Sequence, residues 1–254
     1  MNKQTSQIKK LTTTNYKNLN QKQGIELQPL NILIGANGSG KTNLISVLNF
    51  LKDCLTPVDS SRGMTAYEQA VINQLGGSKL LDGNLAYPAN ATYLFEFTHS
   101  ETLLSTTLKI TLHAKDAITT PFIVEESFEP FYRCHHKQSG IGIVSIDNPT
   151  QKDTHFEEIT GVPTNELTLL AIPKLLEDSH FAPEKAPIYK ARRRLLESIS
   201  QWRFYNANDM SLKAIRDTYP KIGANDIFLS ATCENLPLVL DNIMQHPTYG
   251  IDFE

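Results

Sequence analysis

The chain has 254 residues, 40% of them hydrophobic, with a formal net charge of −3. That is enough apolar material for one large domain or two small ones. The pI near 6.2 excludes a chain-wide positive field that would draw a polyanion such as DNA, and leaves only a local basic patch.

Three cysteines, Cys54, Cys134 and Cys233, are too few and too scattered for a disulfide framework and fit a reducing compartment, the cytoplasm. Lys3, Lys9 and Lys10 are followed by no apolar h-region. No window approaches the roughly eighteen uninterrupted apolar residues of a membrane span. Neither a secretion signal nor a membrane segment is expected.

Taken in chain order, apolar and polar residues alternate weakly around Ile8, Leu11 and Tyr16, and again at Ile25 and Leu27. Two short strands in a hairpin are expected. Asn31, Ile32, Leu33 and Ile34 form an apolar run of buried-strand type that ends at Gly35. From Lys41 to Leu55 the apolar residues Leu44, Val47, Leu48, Leu51 and Leu55 fall on one helical face. A second helix is expected over residues 64–75, stopped by Gly76 and Gly77, which can leave a helix through positive φ.

The middle of the chain is rich in β-branched and aromatic residues at 92–97, 103–113, 121–124, 131–133 and 141–146, which predicts a run of antiparallel strands. Helical character returns at 165–176, interrupted by Pro173, at 188–199 and at 234–244. No internal repeat or low-complexity tract is present. This order predicts an α/β or α+β domain with an inserted antiparallel layer. A single domain over 1–254 is expected, with strand, loop and helix in 1–60, antiparallel strands in 90–150 and a helical part in 160–254.

Gly35, Ala36, Asn37, Gly38, Ser39, Gly40, Lys41 and Thr42 match the pattern G-x-x-x-x-G-K-[ST], between an apolar run and a helix start. The glycines allow backbone N–H groups to point inward as a nest for phosphate oxygens. The positive end of the following helix adds to the attraction. This P-loop predicts binding of a nucleoside triphosphate, ATP with Mg²⁺, with Lys41 reaching the β and γ phosphates and the Thr42 hydroxyl on the metal. Hydrolysis needs more: a carboxylate to hold the water and a second metal contact.

The best site for that carboxylate is Asp147, after Ile143, Val144, Ser145 and Ile146, although Asn148 and Pro149 follow instead of Glu and the segment reads better as a strand closing in a turn. Ser139 and Gly140 lie too close before it to host an intervening helix. Phe122, Ile123 and Val124 before Glu125 and Glu126 read better as a solvated strand end. Cys134, His135 and His136 alternate across a strand, so they do not make a metal site. Arg192, Arg193 and Arg194 read as part of a solvated helix face, with phosphate-backbone contact as the weaker alternative.

Three segments resemble the P-loop ATPases of SMC/RecF type, the ABC-class group that includes bacterial AAA and RecF-like ATPases. Thr14, Asn15, Tyr16, Lys17 and Asn18, within 8–19, look like that family's opening strand and its N-[FY]-K-N turn. Within 30–51, the stretch from Asn37 through Asn43 has the form of P-loop typical of ABC-class heads. The third segment runs from Ser200 and Gln201 through Trp202, Arg203, Phe204, Tyr205 and Asn206 to Leu229 and Ser230. It continues with Glu234, Asn235, Leu236, Pro237, Leu238, Val239 and Leu240, and is similar to a W-R-F-Y stretch followed by an N-L-x-x-V-L helix.

The resemblance implies an ABC-type head in which two nucleotide-binding surfaces dimerise around ATP, each completed by the partner's signature motif. It also implies that Lys17 or Asn18 approaches the nucleotide. The signature serine, the Walker B Asp-Glu and the switch histidine belong to the family's C-terminal lobe, beyond Glu254, and no Q-loop glutamine stands near 167–173.

The leading expectation is therefore an ATP-binding N-terminal lobe, from a split or truncated gene, acting in DNA maintenance or anti-phage defence. A complementing lobe would supply the rest, and an apolar sheet edge would be exposed without it. A nucleotide-gated dimerisation module without hydrolysis and a complete small P-loop enzyme using Asp147 remain the alternatives.

Overall fold

The computed structural model describes residues 6–58, 63–74, 80–99, 105–136, 141–146, 157–175, 187–205, 210–217, 228–230 and 232–245. The chain divides into two compact units, Met1–Gln201 and Trp202–Glu254.

The expected hairpin forms from β1 (Ser6–Tyr16) and β2 (Leu19–Glu26). Two helices follow, α1 (Lys41–Leu55) and α2 (Ala66–Asn73). The chain then returns as β3 (Ala89–His99), β4 (Ser105–Ala114), β5 (Phe122–Glu129), β6 (Tyr132–His136), β7 (Ile141–Ile146) and β8 (Glu157–Pro163). All eight strands belong to one sheet in the order β2-β1-β3-β4-β5-β6-β7-β8, antiparallel at every step. The hairpin and the antiparallel run are thus parts of a single layer, because β1 pairs β2 on one side and β3 on the other. The unit closes with α3 (Thr168–Leu175) and α4 (Pro187–Ser200).

Strand alternation builds the core. On β3 the side chains of Ala91, Tyr93, Phe95 and Phe97 are buried, and across the register Tyr93 faces Ile110, and Phe95 faces Leu108 on one side and Leu11 on the other. The opposite face carries half-buried Thr12, Thr92 and Lys109, the last ion-paired to Glu125 at 2.7 Å. Helix α1 buries Leu44, Val47, Phe50, Leu51, Cys54 and Leu55, each apolar side chain contributing about 1.5–3 kcal/mol. Phe50 meets Tyr93 at 5.8 Å and Tyr67 of α2 at 6.3 Å between ring centroids, so both helices lie on the aromatic face of the sheet. A capping box starts α2: Thr65 Oγ1 accepts from Glu68 N at 3.2 Å while the Glu68 carboxylate accepts from Thr65 N at 2.9 Å.

Several expectations need correction. Residues 31–34 form no strand: the segment is irregular, with Leu30 79%, Ile32 76%, Leu33 41% and Ile34 91% exposed. An apolar run of parallel-strand type is satisfied only when strands pair on both edges and layers cover both faces, and the sheet ends at β2 instead. Strand β8, with Gly161 and Pro163 in its span, was not legible as a strand and extends the sheet beyond β7. Gly76, Gly77, Ser139, Gly140 and Asp147 lie outside the described residues, β7 itself ending at Ile146.

The second unit contains α5 (Leu212–Asp217), a helix the periodicity does not predict, and α6 (Leu236–Gln245), close to the helix expected over 234–244. Here Tyr205 donates to the Leu229 carbonyl at 3.2 Å, and the Arg203 guanidinium stacks 5.5 Å from the Phe228 ring centroid. Asn235 accepts from Ser230 N at 2.7 Å and donates to the Phe228 carbonyl at 3.0 Å. The W-R-F-Y stretch and the start of the following helix are therefore joined within this unit. Among the described residues no helix is long and apolar enough to cross a membrane.

Candidate functional site: the phosphate nest at the start of α1

Helix α1 begins without a side-chain cap and without an acidic residue in its first turn. The orphan N–H groups that open every helix are therefore left available to an outside anion. Its N-cap is Gly40 at φ +94°, and the loop turns also through Gly38 at φ +82°, both in the left-handed region where a Cβ is disfavoured.

Gly40 is constrained twice. A Cβ there would lie 2.8 Å from Leu19 Cδ2 and 3.2 Å from Asn18 Oδ1. Gly40→Ala is expected to destabilise the chain by about 1–3 kcal/mol through strained backbone and close contact. Denaturant unfolding of the purified chain measures it.

Lys41 folds back over the loop. Its ammonium donates to the Gly35 carbonyl at 2.6 Å, the Ala36 carbonyl at 2.7 Å and Ser39 Oγ at 3.3 Å. The positive charge thus stands at the mouth of the nest on exchangeable neutral acceptors. Thr42 is exposed beside it. The cavity in front of the loop measures about 250 Å³ and is lined by Asn37, Gly38, Gly40 and Lys41, with Thr42 and Asn43 of α1 and Asn18 of the β1–β2 turn. That volume is below the roughly 300–1,000 Å³ of whole-ligand pockets. It suits phosphates, and no aromatic side chain lines it to stack a base. Uncapped amides, a cation on neutral acceptors and an exposed hydroxyl fit a triphosphate with Mg²⁺. No carboxylate lines the cavity, and no metal-holding group of His, Cys, Asp and Glu exists among the described residues.

The β1–β2 turn braces the loop. Asn15 at φ 60° and Lys17 at φ 49° are both left-handed. Backbone bonds from Lys17 N to the Leu80 carbonyl at 3.1 Å and from Asp82 N to the Asn15 carbonyl at 3.0 Å hold them. Asn18 then points at the P-loop, whereas the Lys17 ammonium turns away to Ser46 Oγ at 2.8 Å and Gln74 Oε1 at 3.2 Å. Of the two residues the family resemblance brought toward the nucleotide, only Asn18 lines the cavity. Burial lowers the Lys17 pKa, and pushes that of Tyr16, bonded to Ser46 at 2.7 Å, up to about 12.

Other sequence candidates stand elsewhere. Cys134 is buried and His135 exposed, as alternation along β6 requires. Of the three arginines only Arg193 is solvated, 3.8 Å from Glu197. Arg194 is 6% exposed, and Arg192 donates to the Leu169 carbonyl at 2.5 Å, so the solvated-face reading holds for one residue alone.

Glu126 is the larger correction. It is no solvated strand end but a fully buried side chain, accepting from the Thr168 amide at 2.6 Å, the Leu169 amide at 3.0 Å and the Tyr132 hydroxyl. It caps α3 from the sheet. The missed signal is a bulge between Thr111 and Leu112 of β4 as they pair with Glu125 and Ile123. It shifts the inward parity of β5 from residue 125 to residue 126.

The family described as "AAA domain, putative AbiEii toxin, Type IV TA system" matches residues 30–252. The chain is 31% identical over 88 residues to the DNA replication and repair protein RecF of Parabacteroides distasonis, covering 35% of this chain and 22% of that protein. It is 44% identical over 57 residues to the protein of the same name from Phocaeicola vulgatus, covering 21% and 15%. The matches thus span about a fifth of these relatives' length or less. No solved structure matches. With its phosphate nest inside a match that runs over most of its length, the chain belongs to this AAA-domain family of RecF-like, ABC-class P-loop ATPases.

Proposed function

We propose that the chain is the ATP-binding N-terminal lobe of an ABC-type head, acting in the cytoplasm. In this reading residues 1–254 form one incomplete ATPase domain. Gly35, Ala36, Asn37, Gly38, Ser39 and Gly40 present amides to the phosphates, Lys41 neutralises them, and Thr42 ligates Mg²⁺. The observation that carries it is the uncapped start of α1 beneath a loop whose one cation rests on neutral acceptors.

The carboxylate that hydrolysis requires comes, in this proposal, from outside the described residues, through a complementing C-terminal lobe or a second copy that closes on the nucleotide. The exposed run from Leu30 to Ile34 supports that reading, because it has the composition of a strand covered on both faces and has no cover here. The names of the family and the relatives, a toxin-antitoxin system and a DNA repair protein, support work in defence or DNA maintenance.

The test is MgATP binding and turnover by the purified chain. Binding without turnover, with activity restored by a complementing lobe, is the expected result. Turnover by the chain alone overturns the incomplete-lobe reading and directs attention to Asp147. The same exposed run favours a second reading, a nucleotide-gated dimerisation module, which predicts self-association that appears with MgATP and never leads to phosphate release.

A further inference from the structure

We propose that Asn18 is a positioning residue for the phosphate nest, acting through the Gly38–Ser39 peptide and not through contact with the nucleotide. The proposal rests on the nucleotide-binding reading above. The side-chain amide of Asn18 is used at both ends: Nδ2 donates to the Gly38 carbonyl at 2.8 Å, and Oδ1 accepts from Asn43 Nδ2 at 2.7 Å. One side chain therefore ties the tip of the loop to the first turn of α1.

Gly38 needs such a tie. A Cβ built there meets nothing within 4 Å, so no packing holds its left-handed conformation, and glycine can rotate freely between wells. In a trans peptide the carbonyl and the following N–H point in opposite directions. Fixing the Gly38 carbonyl on Asn18 therefore fixes the Ser39 N–H, which points back across the loop to the Ala36 carbonyl at 3.2 Å. A phosphate oxygen replaces that carbonyl when the nest fills. Without Asn18 the peptide is free to flip, and a carbonyl dipole then opposes the anion that the amide had drawn in.

The pointing of Asn18 is itself built in. Two left-handed residues shape the turn, and the backbone bonds to Leu80 and Asp82 hold it against the body of the unit. Non-glycine residues in that region are retained where the surroundings over-determine them. Asn18 is exposed, so apolar packing is not its task.

The test compares Asn18→Ala, Asn18→Asp and Asn43→Ala for MgATP binding by calorimetry, for melting temperature without nucleotide, and for hydrogen exchange at the Ser39 amide. Asn18→Ala is expected to weaken MgATP binding about tenfold with a nucleotide-free melting temperature within about 2 °C of wild type, and to speed exchange at Ser39. Asn18→Asp keeps the acceptor for Asn43 but loses the donor to Gly38, and is expected to bind at least as poorly. Asn43→Ala is expected to lose less than about threefold.

Wild-type affinity in Asn18→Ala, or in Asn18→Asp while Asn18→Ala fails, overturns the proposal. So does a large drop in nucleotide-free melting temperature with unchanged Ser39 exchange. Failure of wild type itself to bind MgATP, with Lys41→Ala indistinguishable from it, overturns the nucleotide reading and this proposal with it.

Discussion

Lys41→Ala is expected to remove MgATP binding, a loss of at least about a hundredfold in affinity, and to leave the fold intact. The ammonium is held by the carbonyls of Gly35 and Ala36 and the hydroxyl of Ser39, at 2.6, 2.7 and 3.3 Å. These acceptors lie in an exposed loop where water replaces the lost donor at little cost. Phosphate has no such substitute: each charge-assisted bond contributes about 1.5–3 kcal/mol, and Lys41 is the one cationic side chain lining the cavity. Lys41→Arg is expected to restore little, because a planar fork does not fit where a compact ammonium sits among carbonyls. Calorimetric titration beside a thermal melt without nucleotide checks both halves. Retained binding in Lys41→Ala means that the phosphates bind elsewhere.

The second large effect lies far from the loop, at Glu126. Removing its carboxylate in Glu126→Ala leaves the amides of Thr168 and Leu169 and the hydroxyl of Tyr132 without their acceptor in a fully buried place. The expected loss is about 3–5 kcal/mol, a large fraction of the stability of an ordinary domain. Glu126→Gln keeps one acceptor oxygen and turns an NH₂ group toward the remaining donors, so it is expected to fall between wild type and Glu126→Ala.

Burial also pushes the Glu126 carboxyl up from 4.5 to about 7, against the bonds from Tyr132, Thr168 and Leu169, which favour the charged form. A folded-state pKa above the unfolded one means that the folded chain holds the proton more tightly. The resulting stability is fully present below about pH 4.5 and is lost as the pH rises through about 7. Wild type is therefore expected to lose stability relative to Glu126→Gln across that window, by on the order of 3 kcal/mol. Urea unfolding of both proteins at several pH values measures the difference. Parallel pH profiles would mean that Glu126 stays charged throughout.

The parts of this fold that were legible in the sequence are those whose determinants are local. The β1–β2 hairpin shows as two alternating runs, α1 as an apolar face from Leu44 to Leu55, and the phosphate nest as glycines and a lysine at fixed spacing. The parts that were not legible depend on partners distant in sequence. Leu30 to Ile34 has the composition of a buried strand, yet burial requires neighbouring strands that composition does not supply. A bulge between Leu112 and Thr111 placed Glu126 inward, and periodicity carried through Ile123 assigns that position to Glu125 instead. Arg192 is half-buried against the Leu169 carbonyl of α3 and Arg194 is buried, while Arg193, between them, reads correctly as solvated. Asn18 is singled out in the sequence only through the family resemblance, as an alternative to Lys17, and the choice between them follows from the turn that points Asn18 at the loop and Lys17 away from it.

Strand β1 also has a mechanical consequence. Its last residue, Tyr16, meets Ser46 of α1 one turn beyond Thr42, and its first, Ser6, accepts at its carbonyl from Ser198 of α4 at 2.5 Å. The strand from one to the other counts eleven residues, about 35 Å at the usual rise per residue. Strand β3 pairs with β1 from Ser6 to Thr14, and β2 joins it on the other edge from Lys10 onward. Through its two ends the strand ties α1 and α4 to one sheet within the first unit, so the two helices share a single backbone support.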